Sequence, residues 1–206
     1  RMLLSADGNG DEIDHLFVRA LDGTIKDITP EKGAKSSFYG WSEDDKHLYY
    51  GSNKRDPRFF DVYKLSIDGY TSEMIYQNND GLNYSGMSRD AHFFALSKTM
   101  NTNDSDLFLY DVKTKEMTKM NENLSANSAQ DFSEDNSTFY YTTDDGGEFS
   151  YLMSYDLNSK EKKKVVEKSW DIVGSGFTSK GKYLVVYTNE DGKNAIEVLD
   201  AKTMQP

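Results

Sequence analysis

Two serines of this 206-residue chain stand near glycine where a nucleophile can be built, Ser88 and Ser175. A serine hydrolase holds its nucleophile in a Gly-x-Ser-x-Gly elbow between a strand and a helix, where the strained turn exposes the hydroxyl. Gly86-Met87-Ser88-Arg89-Asp90 has the first half of that elbow and lacks the second glycine. Ser175 lies directly between Gly174 and Gly176, which is the wrong spacing. The chain offers only His15, His47 and His92 as general bases. His47 and His92 follow Ser42 and Ser88 by five and four residues. They read as one recurring position, and a catalytic base has no reason to recur. The histidine spacing of a zinc site is missing as well.

Oxygen ligands are the other chemistry to weigh. Asp7-Gly8-Asn9-Gly10-Asp11-Glu12-Ile13-Asp14 alternates carboxylates with glycine, as a calcium loop does. Set against the EF-hand pattern from Asp7, Glu12 falls on the glycine position and Val18 on the bidentate glutamate position. A hairpin turn accounts for the same composition. Cysteine is absent, which excludes disulfides, thiolate metal sites and cysteine nucleophiles. No catalytic, cofactor-binding or metal-binding residue is therefore expected on this chain, and no cofactor.

The elements that must position these residues repeat. The hydroxyls at 42, 88, 133 and 178 are 46, 45 and 45 apart, each after Trp41, Met87, Phe132 or Phe177. Such a period marks an array. Each unit reads as four short strands. A first strand rich in small residues ends at the bulky residue (Ser37–Trp41, Asn83–Met87, Ser128–Phe132, Val173–Phe177). A continuous apolar strand follows (Leu48–Tyr50, Phe93–Leu96, Phe139–Tyr141, Tyr183–Val186), as expected of strands buried on both faces. A third strand alternates (Val62–Leu65, Leu107–Tyr110, Leu152–Tyr155, Ile196–Leu199), and a polar, Lys-rich fourth suits an exposed edge. Met2–Leu4 and Leu16–Ala20 match the second and third strands, so the first unit lacks its first strand; the last stops before its fourth.

Four-stranded units at this period are blades of an all-β propeller. The predicted organisation is a single propeller segment, 1–206, of three whole blades and two partial ones in an incomplete ring: 1–30 (partial), 36–76, 82–120, 127–166 and 171–206 (partial). Because a propeller removes its edges by closing, such a segment is expected either to belong to a larger ring or to complete its edges through another copy.

Composition agrees and narrows the partners. Aromatic residues dominate an apolar content of 36%, with 14 Tyr and 11 Phe against 2 Trp, which favours sheet. The net charge is −11, from 35 acidic and 24 basic residues, and the only basic block is Lys162-Lys163-Lys164. Such a chain repels a phosphate backbone, so no nucleic acid is expected. No stretch approaches the ~18 apolar residues of a membrane span. Bacterial cytoplasm and periplasm are both compatible. The loops between second and third strands are acidic in four of five units, a face suited to a cation or basic peptide or simply to solubility. The exception, Lys54-Arg55-Asp56-Pro57-Arg58, reads as the longest of these loops and as a candidate contact with another domain.

The blade signature, a bulky residue, Ser or Thr, x, Asp and an aromatic four residues on, resembles the "F-S-P-D-G-K-x-L-A-Y" repeat of TolB-like and prolyl oligopeptidase-type propellers. The segment Leu16 to Thr29 is similar to their outer hairpin. Proline is replaced throughout that repeat by Glu43, Arg89, Glu134 or Ser179, and its glycine survives only as Gly181. The Gly-His and Trp-Asp pairs of tryptophan-aspartate repeats are missing, since Trp170-Asp171 lies outside the frame. In prolyl oligopeptidase-type serine peptidases, dipeptidyl peptidase IV included, the propeller restricts peptide access to an α/β-hydrolase domain. The resemblance implies a non-catalytic gating segment whose partners are that domain and a peptide. The alternative is a TolB-like propeller that binds a protein partner. A lactonase-type propeller enzyme would need a carboxylate and His set in the channel, and the first strands supply only Asp131.

Overall fold

Antiparallel pairing between neighbouring segments satisfies every predicted strand. The computed structural model, which describes residues 1–206, contains 18 strands in five antiparallel sheets. The chain divides into two compact units, Arg1–Asn83 and Tyr84–Pro206.

In the first unit, β1 (Met2–Ala6), β2 (His15–Arg19) and β3 (Ile25–Asp27) form a three-stranded meander. A four-stranded sheet follows, made of β4 (Ser36–Trp41), β5 (His47–Asp56), β6 (Phe59–Ser66) and β7 (Ser72–Tyr76). Leu16, Val18 and Ile28 of the first sheet pack on Leu48, Tyr50, Tyr63 and Leu65 of the second. Leu16, Leu48 and Leu65 are wholly buried. Each such side chain contributes about 1.5–3 kcal/mol relative to exposure.

The second unit holds three sheets: β8 (Asn83–Met87) with β9 (Phe93–Thr99), β10 (Ser105–Asp111) and β11 (Met117–Lys119); β12 (Asn127–Phe132) with β13 (Thr138–Thr143), β14 (Tyr151–Asp156) and β15 (Lys162–Val166); and β16 (Ile172–Phe177) with β17 (Tyr183–Glu190) and β18 (Lys193–Asp200). Phe93, Leu107, Leu109 and Met120 pack on Phe132, Phe139 and Tyr155. Tyr140, Leu152 and Val166 pack on Ile172, Leu184, Val186 and Leu199. As the run of apolar residues requires, the second strands β9 and β13 are the most buried of their sheets.

Three of the first strands carry a bulge, between Phe38 and Gly40, Ala129 and Asp131, and Ile172 and Gly174. A bulge re-aims the extra side chain. In β4 that side chain is Tyr39, which lies against Gly51 so closely that a methyl group there would overlap the ring. Burial pushes the Tyr39 hydroxyl up to about 12.

One expectation fails locally. The basic stretch read as a long loop is strand as far as Asp56, and the turn to Phe59 contains only Pro57 and Arg58. The register slips between Ser52 and Asp56, so the extra residues are taken up inside the strand.

Candidate functional site

The recurring hydroxyls are the natural starting point, because Ser88, a candidate nucleophile, is one of them. In each copy the hydroxyl residue's own N–H donates to the carbonyl of the residue that opens the second strand: His47, Phe93, Thr138 or Tyr183 (2.9–3.0 Å). The side-chain oxygen then accepts that residue's N–H, at 2.9, 3.0, 2.9 and 3.1 Å. In three copies it also donates to the aspartate two residues on: Ser42 to Asp44 (2.7 Å), Ser88 to Asp90 (2.6 Å) and Ser133 to Asp135 (2.6 Å). The fourth residue of every turn is left-handed: Asp45 (φ 56°), Ala91 (53°), Asn136 (55°) and Gly181 (61°). Both capacities of the hydroxyl are thus spent within the turn, and Ser88 is wholly buried. The Ser42 hydroxyl lowers the Asp44 carboxyl, and those of Ser133 and Ser137 lower Asp135.

No histidine ring completes a triad with these hydroxyls. His15 Nδ1 is 2.7 Å from Asp27 and His92 Nε2 is 3.0 Å from Asp111, while His47 lies 3.8 Å from Asp44. His92 also stacks on Phe93 with ring centroids 4.3 Å apart. The acidic loop Asp7–Asp14 turns its carboxylates on its own backbone. Asp11 accepts from Gly8 (3.2 Å) and Ile13 (3.0 Å), and Asp7 accepts from Glu12 (3.1 Å). No three His, Asp or Glu side chains converge anywhere as a metal would require.

Asp131, the one carboxylate of the first strands, joins two sheets. Its Oδ2 accepts the N–H of Phe177 (2.8 Å) and its Oδ1 that of Phe132 (2.8 Å). Beside it, Gln130 Oε1 accepts the N–H of Ser175 (2.6 Å). Sequence reasoning missed Gln130. The available signal was a side chain with acceptor oxygen at a bulge, one repeat before a glycine-flanked strand.

The basic segment is likewise internal to its unit. Arg55 makes a bidentate pair with the wholly buried Asp61 (2.7 and 2.8 Å) and donates to the Asn78 carbonyl (2.7 Å). Asn78 N–H donates to Asp61 (2.8 Å), and the Asn78 amide clamps Leu82. Lys54 reaches Tyr50 (3.0 Å) and Glu31 (3.2 Å) and sits 4.1 Å above the Tyr63 ring. Arg58 pairs with Asp56, whose carboxyl that hydrogen bond pulls down to about 2. Arg58 is the most exposed charged side chain of this stretch, at 74%.

Antiparallel four-stranded meanders repeated at a ~45-residue step define a β-propeller. Its hydroxyls and carboxylates build turns and sheet-to-sheet ties. The chain belongs to the family of the prolyl oligopeptidase N-terminal beta-propeller domain, which residues 1–206 match throughout. No curated protein sequence matches it. Among solved structures, one from a study of two prolyl endopeptidases and the role of inter-domain dynamics in their catalysis and specificity is similar over 99% of this chain and 32% of its own. The TM-score is 0.74 at 16% identity. Prolyl oligopeptidase B from Galerina marginata, bound to a 35mer hydrolysis and macrocyclization substrate, is similar over 99% and 32%, with a TM-score of 0.72 at 15% identity. TolB from Acinetobacter baumannii is similar over 93% and 47%, with a TM-score of 0.65 at 20% identity. These identities establish a shared fold, and the chain spans less than half the length of each of the three. No helix is long and apolar enough to cross a membrane.

Proposed function

We propose that this chain is a non-catalytic propeller segment of a prolyl oligopeptidase-type serine peptidase. It restricts peptide access and docks on an α/β-hydrolase domain outside residues 1–206. The family match over the whole chain carries this reading. The tie of each recurring hydroxyl to a second-strand N–H, with Ser88 wholly buried, supports its non-catalytic part, since a nucleophile must be exposed to a substrate carbonyl and paired with a base. In the parent gene, a Gly-x-Ser-x-Gly motif followed by Asp and His within a few hundred residues beyond Pro206 is the expected finding. A stop codon after one or two further blades would overturn it. The isolated chain should not hydrolyse peptides; hydrolysis abolished by Ser88→Ala would refute the non-catalytic assignment. The second reading, a TolB-like propeller that binds a protein partner, is favoured by the similarity to a TolB over 93% of the chain, and the stop codon would favour it.

A further inference from the structure

The connection between β1 and β2 holds the chain's single Asn-Gly pair, Asn9-Gly10. Both residues are exposed, and both are left-handed, with φ of 63° and 80°. Residues 7–13 make no backbone–backbone hydrogen bond with any other part of the chain. The carboxylates of Asp7 and Asp11 alone tie the loop, through the N–H groups of Gly8, Glu12 and Ile13 at 3.0–3.2 Å. These bonds are exposed, so water competes for each of them. The Asn9 carboxamide and the Gly10 N–H take part in none of them. Nothing lies within 4 Å of the place a Gly10 Cβ would take, so the space beside the pair is open. A side-chain carbonyl and the next backbone nitrogen are thus both unbonded, on a backbone whose glycine turns freely.

Elsewhere the fold keeps such groups apart. Asn136 precedes Ser137, but its Oδ1 accepts the Arg89 N–H (2.9 Å), and the Ser137 N–H donates to Asp135 (3.1 Å) and Ser133 (3.2 Å). Asn158 precedes Ser159, whose N–H donates to Asp156 (2.8 Å). Asn127 precedes Ser128 inside β12, with its Nδ2 bonded to Ser105 and Ser125. Even Gly8, in the same loop as Asn9, has its N–H held by Asp11 (3.2 Å). A nitrogen that is donating a hydrogen bond cannot attack a carbonyl until that bond is released. Each serine also carries a Cβ that Gly10 lacks, which restricts the backbone rotation the attack needs.

We propose that Asn9 is a site of spontaneous deamidation. The Gly10 nitrogen gives its proton to hydroxide and attacks Cγ of Asn9. A five-membered imide closes as the Cγ–Nδ2 bond breaks, and the amide nitrogen leaves as ammonia with a proton from water. Water then opens the ring. Breaking the new N–Cγ bond gives aspartate; breaking the bond from that nitrogen to the Asn9 backbone carbonyl carbon gives isoaspartate, with the main chain rerouted through Cβ. Either product adds a negative charge beside Asp7, Asp11 and Glu12. Isoaspartate also lengthens the path between the two carboxylates that tie the loop. This modification stands apart from the gating role and is tested on the chain alone, aged in mildly alkaline buffer, digested with trypsin and read by mass spectrometry. The peptide Met2–Arg19 should gain the mass that exchange of NH₂ for OH gives, at least about tenfold faster than the peptides carrying Asn136 and Asn158. Fragmentation should place isoaspartate at residue 9, and Asn9→Gln should lose the gain. In urea, which frees the Ser137 and Ser159 N–H groups, the difference in rate should narrow. An unchanged mass of Met2–Arg19, equal rates at the three asparagines, a gain without isoaspartate, or a difference undiminished in urea would each overturn the assignment.

Discussion

Replacing Ser88 with alanine separates a structural hydroxyl from a catalytic one. The Ser88 hydroxyl accepts the Phe93 N–H at 3.0 Å and donates to Asp90 at 2.6 Å. Ser88 is wholly buried and Phe93 is 7% exposed. In Ser88→Ala the Phe93 N–H loses its acceptor where water cannot replace it. A stranded buried donor costs about 1–3 kcal/mol. Asp90 keeps the His92 N–H (3.1 Å), so its part of the loss is smaller. At roughly 2–4 °C per kcal/mol for a chain of this size, a loss of about 2 kcal/mol lowers Tm by about 4–8 °C. The same change at Thr178 provides the control. There the Tyr183 N–H lies in an exposed bond, and Thr178→Ala should cost under about 0.5 kcal/mol because water takes the hydroxyl's place. Thermal and urea denaturation followed by circular dichroism read both variants. Equal Tm losses for the two, or none for Ser88→Ala, would refute the burial reasoning.

Three further outcomes follow from the geometry. Gly51→Ala forces the Tyr39 ring from its seat and should cost about 1–3 kcal/mol in urea denaturation, with partial recovery when Tyr39 is shortened to serine. Asp61→Ala strands Arg55 and the Asn78 N–H and should lower Tm more than any other single carboxylate removal in the first unit, whereas Arg58→Ala, at an exposed pair, should leave Tm within error. Acid stability reports the turns. Asp44, Asp135, Asp156 and Asp200 are held below the usual carboxylate value, Asp44 and Asp135 first by the serine hydroxyls and Asp156 and Asp200 by the N–H groups of Ser159 and Thr203. Because the folded values are depressed, this stabilisation is complete above the unfolded value near 3.9 and disappears as pH falls through the lower folded ones. Asp135→Asn should accordingly give a shallower loss of stability between about pH 4 and 2 than the parent; an unchanged profile would contradict it.

The blades were legible because strand order and turn chemistry are local. The hydroxyl after a bulky residue marked each first turn, and the apolar runs marked the buried second strands. What stayed hidden depends on partners far along the chain. Ser52 to Asp56 is polar and charged, so nothing in its pattern signals a strand; its order comes from Arg55 meeting Asp61 and from the Asn78 amide. Asp131 read as a lone channel carboxylate, whereas its role is fixed by a backbone N–H 46 residues away. The buried Asn127 Oδ1, which has no hydrogen-bond partner, had no sequence signal, since only the placement of Ser105 and Ser125 decides which end of the amide is left over.

The left-handed fourth residue of the blade turn bears on descent. Four side chains occupy it, Asp45, Ala91, Asn136 and Gly181, yet φ varies by only a few degrees, from 53° to 61°. A left-handed residue other than glycine costs roughly 1–2 kcal/mol, which the hydroxyl's bond to the second strand helps to offset. The backbone shape thus holds from copy to copy although the residue best suited to it stands in only one of them. A search for kinship among such arrays does better to track the bonded hydroxyl than the glycine.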